Sequence, residues 1–266
     1  MIRTVAVGGL GAIGLPVARA LDGGVDGLRL IAVASRDEAR ARDRVAGFAD
    51  PPRVVPLPEL AEADIVVEAV PAALFVQIAV PAIEAGRVLV PASVGALLPH
   101  MDLVRRAQHT GARIVVPTGA LLGLDAVRAA AEGPIESVSI ETRKPPAGLV
   151  GAPYLVRHGI DIEGITEPRC VFEGTAFDAA RGFPANVNVA AALALAGIGP
   201  ARTRVEIWAD PTVTRNTHRI EVDSDSARFS MTIENIPSEN PKTGLITALS
   251  VIACLRKLNA PLRVGT

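Results

Sequence analysis

The hydrophobic pattern of this chain changes character part-way along it. In the first part, short runs that are apolar at nearly every position take turns with segments whose apolar residues recur at helical spacing. The apolar runs are Ile2–Val7, Leu28–Ala34, Ala63–Ala69, Arg87–Val90 and Arg113–Val116. A strand buried on both faces reads in this way. Between them, helical patterns occupy Leu15–Leu21, a segment beginning near Asp37, a segment from beyond Pro71 to about Ala85, and Met101–Thr110. Such alternation predicts a parallel sheet covered by helices over residues 1–117.

Beyond Pro117 the alternation stops. Residues 117–126 form a glycine-punctuated turn into a helix that runs to about Ala131. Strand-like runs then follow one another at Ser137–Thr142, Arg169–Phe172, Thr203–Ala209, His218–Val222 and Ala227–Asn235. Helical patterns at Gly174–Arg181 and Val187–Ala196 interrupt them. The last two runs are joined by Asp223-Ser224-Asp225-Ser226 and read as a hairpin. The expectation for 118–240 is therefore an α+β domain with a mainly antiparallel sheet. Residues 241–266 make a third segment, helical over Pro241–Leu258, which is expected to pack back on the first domain.

The first apolar run leads straight into Gly9-Leu10-Gly11-Ala12-Ile13-Gly14. Strand, glycine turn and helix in that order are the setting of a dinucleotide-binding turn. Gly9 allows the tight turn, Gly11 lets a pyrophosphate approach the backbone, and Gly14 lets the helix pack closely on the strand. The phosphates would sit at the helix N-terminus, where backbone N–H groups and the helix dipole favour an anion. The candidate cofactor residues are Gly9, Gly11, Ala12, Ile13 and Gly14, within a Rossmann domain. At the end of the second strand, where an acid usually bonds the adenosine ribose, stand Ser35 and Arg36, with Asp37 one step later. Arg36 suits a 2′-phosphate and Asp37 suits a free ribose, so both NAD and NADP stay open. A second reading of Ser35 is as the cap of the following helix.

Composition narrows the class. Of the 266 residues, 49% are hydrophobic and 21% charged, which is globular; aromatics are 3%, so Ala, Val, Leu and Ile must build the core. The formal net charge is −1 with no basic cluster, which argues against nucleic acid. Cys170 and Cys254 stand alone, without disulfide or zinc spacing, and no metal is expected. The most apolar region, Ile65–Gly86, is interrupted by Glu68, Pro71, Gln77 and Pro81 and does not read as a membrane span. Met1 runs directly into the first strand without a leader pattern, so a cytoplasmic protein is expected.

Polar residues of the second part gather in four stretches: Thr142-Arg143-Lys144-Pro145, Asn186-Val187-Asn188, Asp210-Pro211 with Asn216-Thr217-His218, and Asn235 to Gly244. Singly, each reads equally as a cap or turn. With Gly9 to Gly14, Ser93-Val94-Gly95-Ala96, and Gly119-Ala120-Leu121-Leu122-Gly123-Leu124-Asp125-Ala126, these stretches resemble the L-aspartate dehydrogenase family in order and over essentially the whole chain. The resemblance implies a Rossmann domain joined to an α+β domain that also mediates homodimer formation. It implies interconversion of L-aspartate with iminosuccinate, which hydrolyses to oxaloacetate and ammonia, using NAD or NADP. In some organisms the iminosuccinate feeds NAD biosynthesis. The resemblance puts the active-site histidine at His218 and nicotinamide-cofactor contacts at Ala120 and Asn188. Gly244 departs from it, standing where many members carry Ser.

The chemistry suits that assignment. Oxidation at Cα and attack of water on the imine both need a group that moves protons, and histidine does so near neutrality without a large pKa shift. His100, His109 and His158 lie in surface-like segments, whereas His218 opens an apolar strand beside Asn216 and Thr217. A dicarboxylate also needs cations, and lysine occurs only at Lys144, Lys242 and Lys257. Lys242 with Asn240 and Thr243 is the expected carboxylate holder, Asn186 a further substrate contact, and Lys144 or Arg143 the alternative cation. Two other functions fit the same pattern: a same-fold dehydrogenase or reductase for another amino acid or imine, and a non-catalytic dinucleotide-binding redox sensor, which would need no His218.

Overall fold

Pairing between parallel strands accounts for the apolar runs of the first part. The computed structural model describes residues 2–238 and 244–265. The chain divides into two units, Met1–Pro117 with Thr247–Arg263, and Thr118–Ile246 with Val264–Thr266.

The first unit contains β1 (Arg3–Gly8), α1 (Gly14–Asp22), β2 (Leu28–Ala34), α2 (Glu38–Val45), β3 (Arg53–Val54), β4 (Ile65–Glu68), α3 (Phe75–Glu84), β5 (Val88–Pro91), α4 (Val94–Leu97), α5 (Asp102–Thr110) and β6 (Arg113–Ile114). Its strands lie in the order β3-β2-β1-β4-β5-β6, and every pair is parallel. All four residues of β4 and of β5 are buried, so neither strand alternates. The strand order reverses between β1 and β4, and open α/β sheets bind ligands outside the carboxyl ends of their strands at such a point. Asp37 caps α2, its carboxylate accepting the Arg40 N–H at 3.0 Å. The cap is thus Asp37 and not Ser35.

The second unit contains α6 (Leu124–Ala130), β7 (Ile135–Lys144), α7 (Pro153–His158), β8 (Arg169–Thr175), α8 (Ala176–Gly182), α9 (Asn188–Ala196), β9 (Arg204–Ala209), β10 (Asn216–Ser224) and β11 (Arg228–Asn235). The sheet order is β11-β10-β7-β9-β8. This sheet is mixed, which corrects the expectation of a mainly antiparallel one. β10 pairs antiparallel with β11 and with β7, and β8 with β9, but β7 and β9 run parallel at the centre. Parallel neighbours need a long return path, and the segment carrying α7, β8, α8 and α9 supplies it. The helical pattern read from Gly174 starts at Ala176, because Gly174 and Thr175 finish β8 and the Thr175 hydroxyl caps α8 by accepting the Asp178 N–H. α9 is buried at every position from Val189 to Ala194, as a helix inside a core must be. Around it lie Val138, Ile140, Val205 and Ile207 of the sheet, with Phe172 and Phe183 packed edge-on at 5.5 Å.

α10 (Ile246–Asn259) returns to the first unit. Val251 and Leu255 join the core cluster of Val5, Val7, Leu30 and Val67, and the Asn259 side chain donates to the Asp26 carbonyl at 2.8 Å. Among the described residues no helix is long and apolar enough to cross a membrane, and no group of His, Cys, Asp or Glu is placed to hold a metal ion. Truncation of Leu255 to Ala is expected to cost about 3 kcal/mol in urea unfolding, against less than about 0.5 kcal/mol for the exposed neighbour Leu249. Equal losses at the two positions would contradict this packing.

Candidate active site

In the first unit, the glycine turn is shaped by contacts that exclude a side chain. Gly9 has a φ of +90° and its N–H donates to the Ala34 carbonyl at 2.7 Å. A Cβ on Gly9 would run into the Ala69 carbonyl, and a Cβ on Gly14 into the Gly9 carbonyl. Gly11 differs, since a Cβ there would meet nothing within 4 Å. Two glycines close the turn and the third leaves open space above it, a cradle that fits a dinucleotide pyrophosphate. Ala12 is exposed and Ile13 half-buried just ahead of α1, and Arg44 of α2 donates to the Leu10 carbonyl, bracing the turn from outside. Ser35 is half-buried and Arg36 exposed at the end of β2.

In the second unit, the alternation of a strand puts Thr142 and Lys144 on one face of β7 and Arg143 on the other. Thr142 and Lys144 are each 3% exposed. Register then adds neighbours. His218 of β10 pairs directly with Thr142, Thr217 with Arg143, and Asn216 pairs across to Asn235 of β11. Thr142, Lys144, Asn216, His218 and Asn235 therefore form one polar group on the same buried side of the sheet. The Lys144 ammonium donates to Asn186 Oδ1 at 2.8 Å, which ties the group to the segment just before α9, where Asn188 is the first helical residue and half-buried. Asn235 Nδ2 donates to the Ala120 carbonyl at 2.8 Å, which ties in the turn ahead of α6.

The His218 ring is 2% exposed, with Nδ1 at 3.0 Å from the Thr142 hydroxyl. Burial, and then the Lys144 ammonium, push its pKa down to about 3. This corrects the expectation of a histidine that titrates without a large shift. The ring is neutral at physiological pH, and a neutral imidazole has one nitrogen that donates and one that accepts. With Nδ1–H donating to Thr142, Nε2 is the accepting nitrogen; with the Thr142 hydroxyl donating to Nδ1, Nε2 carries the proton.

The structure brings together His218, Asn186 and Ala120 of the expected residues, through Thr142, Lys144 and Asn235, with Asn188 two positions from Asn186. Asn240, Lys242 and Thr243 lie outside the described residues. Arg143 is engaged on the opposite face: Nε donates to Glu141 at 2.7 Å, Nη1 to Asp210 at 3.2 Å, and the guanidinium stacks 4.5 Å from the centre of the Trp208 ring. Of the two alternative cations, only Lys144 is on the histidine face. Asn216 and Asn235 stand in two of the polar stretches of the sequence but were given no role there; strand register is what places them on this face.

Comparison with known proteins follows the same division. Residues 9–117 match the family model described as homoserine dehydrogenase, NAD binding domain, and residues 125–258 that of aspartate dehydrogenase, C-terminal. An L-aspartate dehydrogenase of Bradyrhizobium diazoefficiens is 61% identical over 98% of this chain and 94% of its own. One from Methanocella arvoryzae is 44% identical over 98% of this chain and 99% of its own. The crystal structure of aspartate dehydrogenase from Thermotoga maritima shares the fold over 100% of both chains, with a TM-score of 0.75 at 23% identity.

The depressed His218 pKa has a consequence for stability. The unfolded ring takes a proton below about 6.5, whereas the folded one resists until about 3, so the folded state loses ground as pH falls between these values. Relative to His218→Asn, the wild type is expected to lose about 1.4 kcal/mol per pH unit across that window, read by urea unfolding. A pH-independent difference between the two proteins would show that the ring is not buried as described.

Proposed function

The chain belongs to the L-aspartate dehydrogenase family, and we propose that the buried polar group around His218 is where it carries out that reaction. The enzyme oxidises L-aspartate at Cα, and hydrolysis of the resulting imine releases oxaloacetate and ammonia. NAD(P)⁺, when bound, supplies the hydride acceptor, and the open cradle above Gly11 with Ala12, Ile13 and the start of α1 would hold its phosphates. Ser35 and Arg36 would meet the adenosine ribose, and Ala120 and Asn188 the nicotinamide end.

The observation that carries this reading is the placing of a buried lysine and a neutral histidine on one face of the sheet. Lys144 offers a fixed positive charge to a carboxylate, with Asn186 orienting its ammonium. In this reading Thr142 accepts from Nδ1–H across the 3.0 Å contact, and Nε2 of His218 takes a proton from the substrate nitrogen or from the attacking water. The two roles are coupled. An arriving dicarboxylate offsets the Lys144 charge, which adds to burial in depressing His218, so the base gains proton affinity when substrate is present. Exposed apolar side chains at Ile236, Leu245 and Ile246 support a homodimer as part of the same proposal.

Absorbance of the reduced cofactor tests this directly. Purified protein is expected to turn over L-aspartate with NAD or NADP, and oxaloacetate plus ammonia in reverse. His218→Asn is expected to lower kcat by about a hundred-fold or more with the fold retained by circular dichroism. Lys144→Met is expected to raise KM for L-aspartate about ten-fold or more. Turnover of aspartate unchanged in both variants would remove the chemistry from this cluster.

A further inference from the structure

The first unit also contains a buried ionisable group, on the ligand edge of its sheet. Glu68 is the last residue of β4 and is 0% exposed. Its carboxyl reaches the two loops that leave β4 and β5. The Val70 N–H donates to Oε1 and the Ser93 N–H to Oε2, each at 3.0 Å. The Ser93 hydroxyl lies 3.0 Å from Glu68 Oε1 and also 3.0 Å from the Val70 carbonyl. A hydroxyl has one proton and cannot donate to both. A proton on Glu68 resolves the conflict, because Oε1–H then donates to Ser93 Oγ, and Ser93 O–H donates to the Val70 carbonyl. Oε1 still accepts from the Val70 N–H, and every group is satisfied. Burial acts in the same direction, raising the Glu68 pKa to about 7 against the N–H groups and hydroxyl that favour the charged form.

The loop held by Glu68 also forms one wall of the glycine turn. The Ala69 N–H donates to the Gly8 carbonyl at 2.8 Å, and the space beside Gly9 is bounded by the Ala69 carbonyl and the Val70 side chain. From this geometry we infer that Glu68 is a positioning residue of the dinucleotide site, acting through Val70 and Ser93 to fix the glycine turn against the loop that leads into α4. It makes no contact with the nucleotide in this role. The inference rests on the nucleotide reading of the Gly9 to Gly14 turn. It also predicts that an amide is a poor substitute: a Gln nitrogen must face either the Val70 or the Ser93 N–H, donor against donor.

Calorimetric titration with NADH and NADPH tests it, on the full-length wild type, Ser93→Ala, Ser93→Thr and Glu68→Gln, with melting temperatures alongside. Ser93→Ala keeps the N–H and removes the hydroxyl link, and is expected to weaken binding about five-fold. Ser93→Thr keeps the hydroxyl and should bind within about two-fold of wild type, a rescue that a purely steric role for position 93 would not give. Glu68→Gln should weaken binding about ten-fold or more. If that variant does not fold, the Ser93 pair decides. Folded Ser93→Ala with wild-type affinity, or Ser93→Thr as weak as Ser93→Ala, overturns the inference. Wild-type protein that binds neither reduced cofactor overturns the nucleotide reading itself, and the inference with it.

Discussion

A lysine ammonium buried at the end of β7 constrains most of what surrounds it. Removing such a charge from water costs several kcal/mol unless polar partners replace the hydration shell. Lys144 therefore calls for Asn186, which lies two residues ahead of α9. Burial keeps the His218 ring neutral, and the same charge, acting across to β10, works in the same direction. Sheet register places both side chains within one polar group, and Thr142 sets the orientation of the ring. A buried cation and a neutral imidazole thus come from a single burial problem and its solution.

Glu68 in the first unit and His218 in the second are both buried away from their ordinary pKa, and the shifts oppose each other in their effect on stability. His218 is depressed from 6.5 to about 3, so its contribution falls away as pH drops through that range. Glu68 is raised from 4.5 to about 7, so its contribution is full below 4.5 and is lost as pH rises toward 7. Both groups are easiest to bury in their neutral forms. His218 sits on a strand face beside the Thr142 hydroxyl, and Glu68 ties two loops at a strand end. In each case a serine or threonine hydroxyl is the partner that couples the group to its surroundings.

Much of this was legible in the residues alone, and the rest was hidden for physical reasons. All-apolar strands and the glycine turn are local signals, so the parallel sheet of the first unit followed from pattern. The direction of β9 against β7 was not local: it depends on where a long connection of helices and β8 returns, and no property of Arg204–Ala209 states it. His218 stood out by its place on an apolar strand. Its partners Thr142 and Lys144 lie far from it in the chain, and only register brings them to one face. Glu68 looked like a charge interrupting an apolar stretch, because satisfaction by Val70 and Ser93 is a property of two loops meeting at a sheet edge. The depressed pKa of His218 was equally invisible, since burial and the nearness of Lys144 exist only in the folded chain.

The central claim is that this enzyme removes hydride from Cα of L-aspartate with the cluster around His218 managing the protons. The most direct measurement follows deuterium from Cα-labelled L-aspartate by mass spectrometry of the reduced cofactor, for wild type and for His218→Asn. The account predicts label in the reduced cofactor with wild type and almost none with the variant. Label released to water without cofactor reduction, or equal transfer by the two proteins, would contradict it.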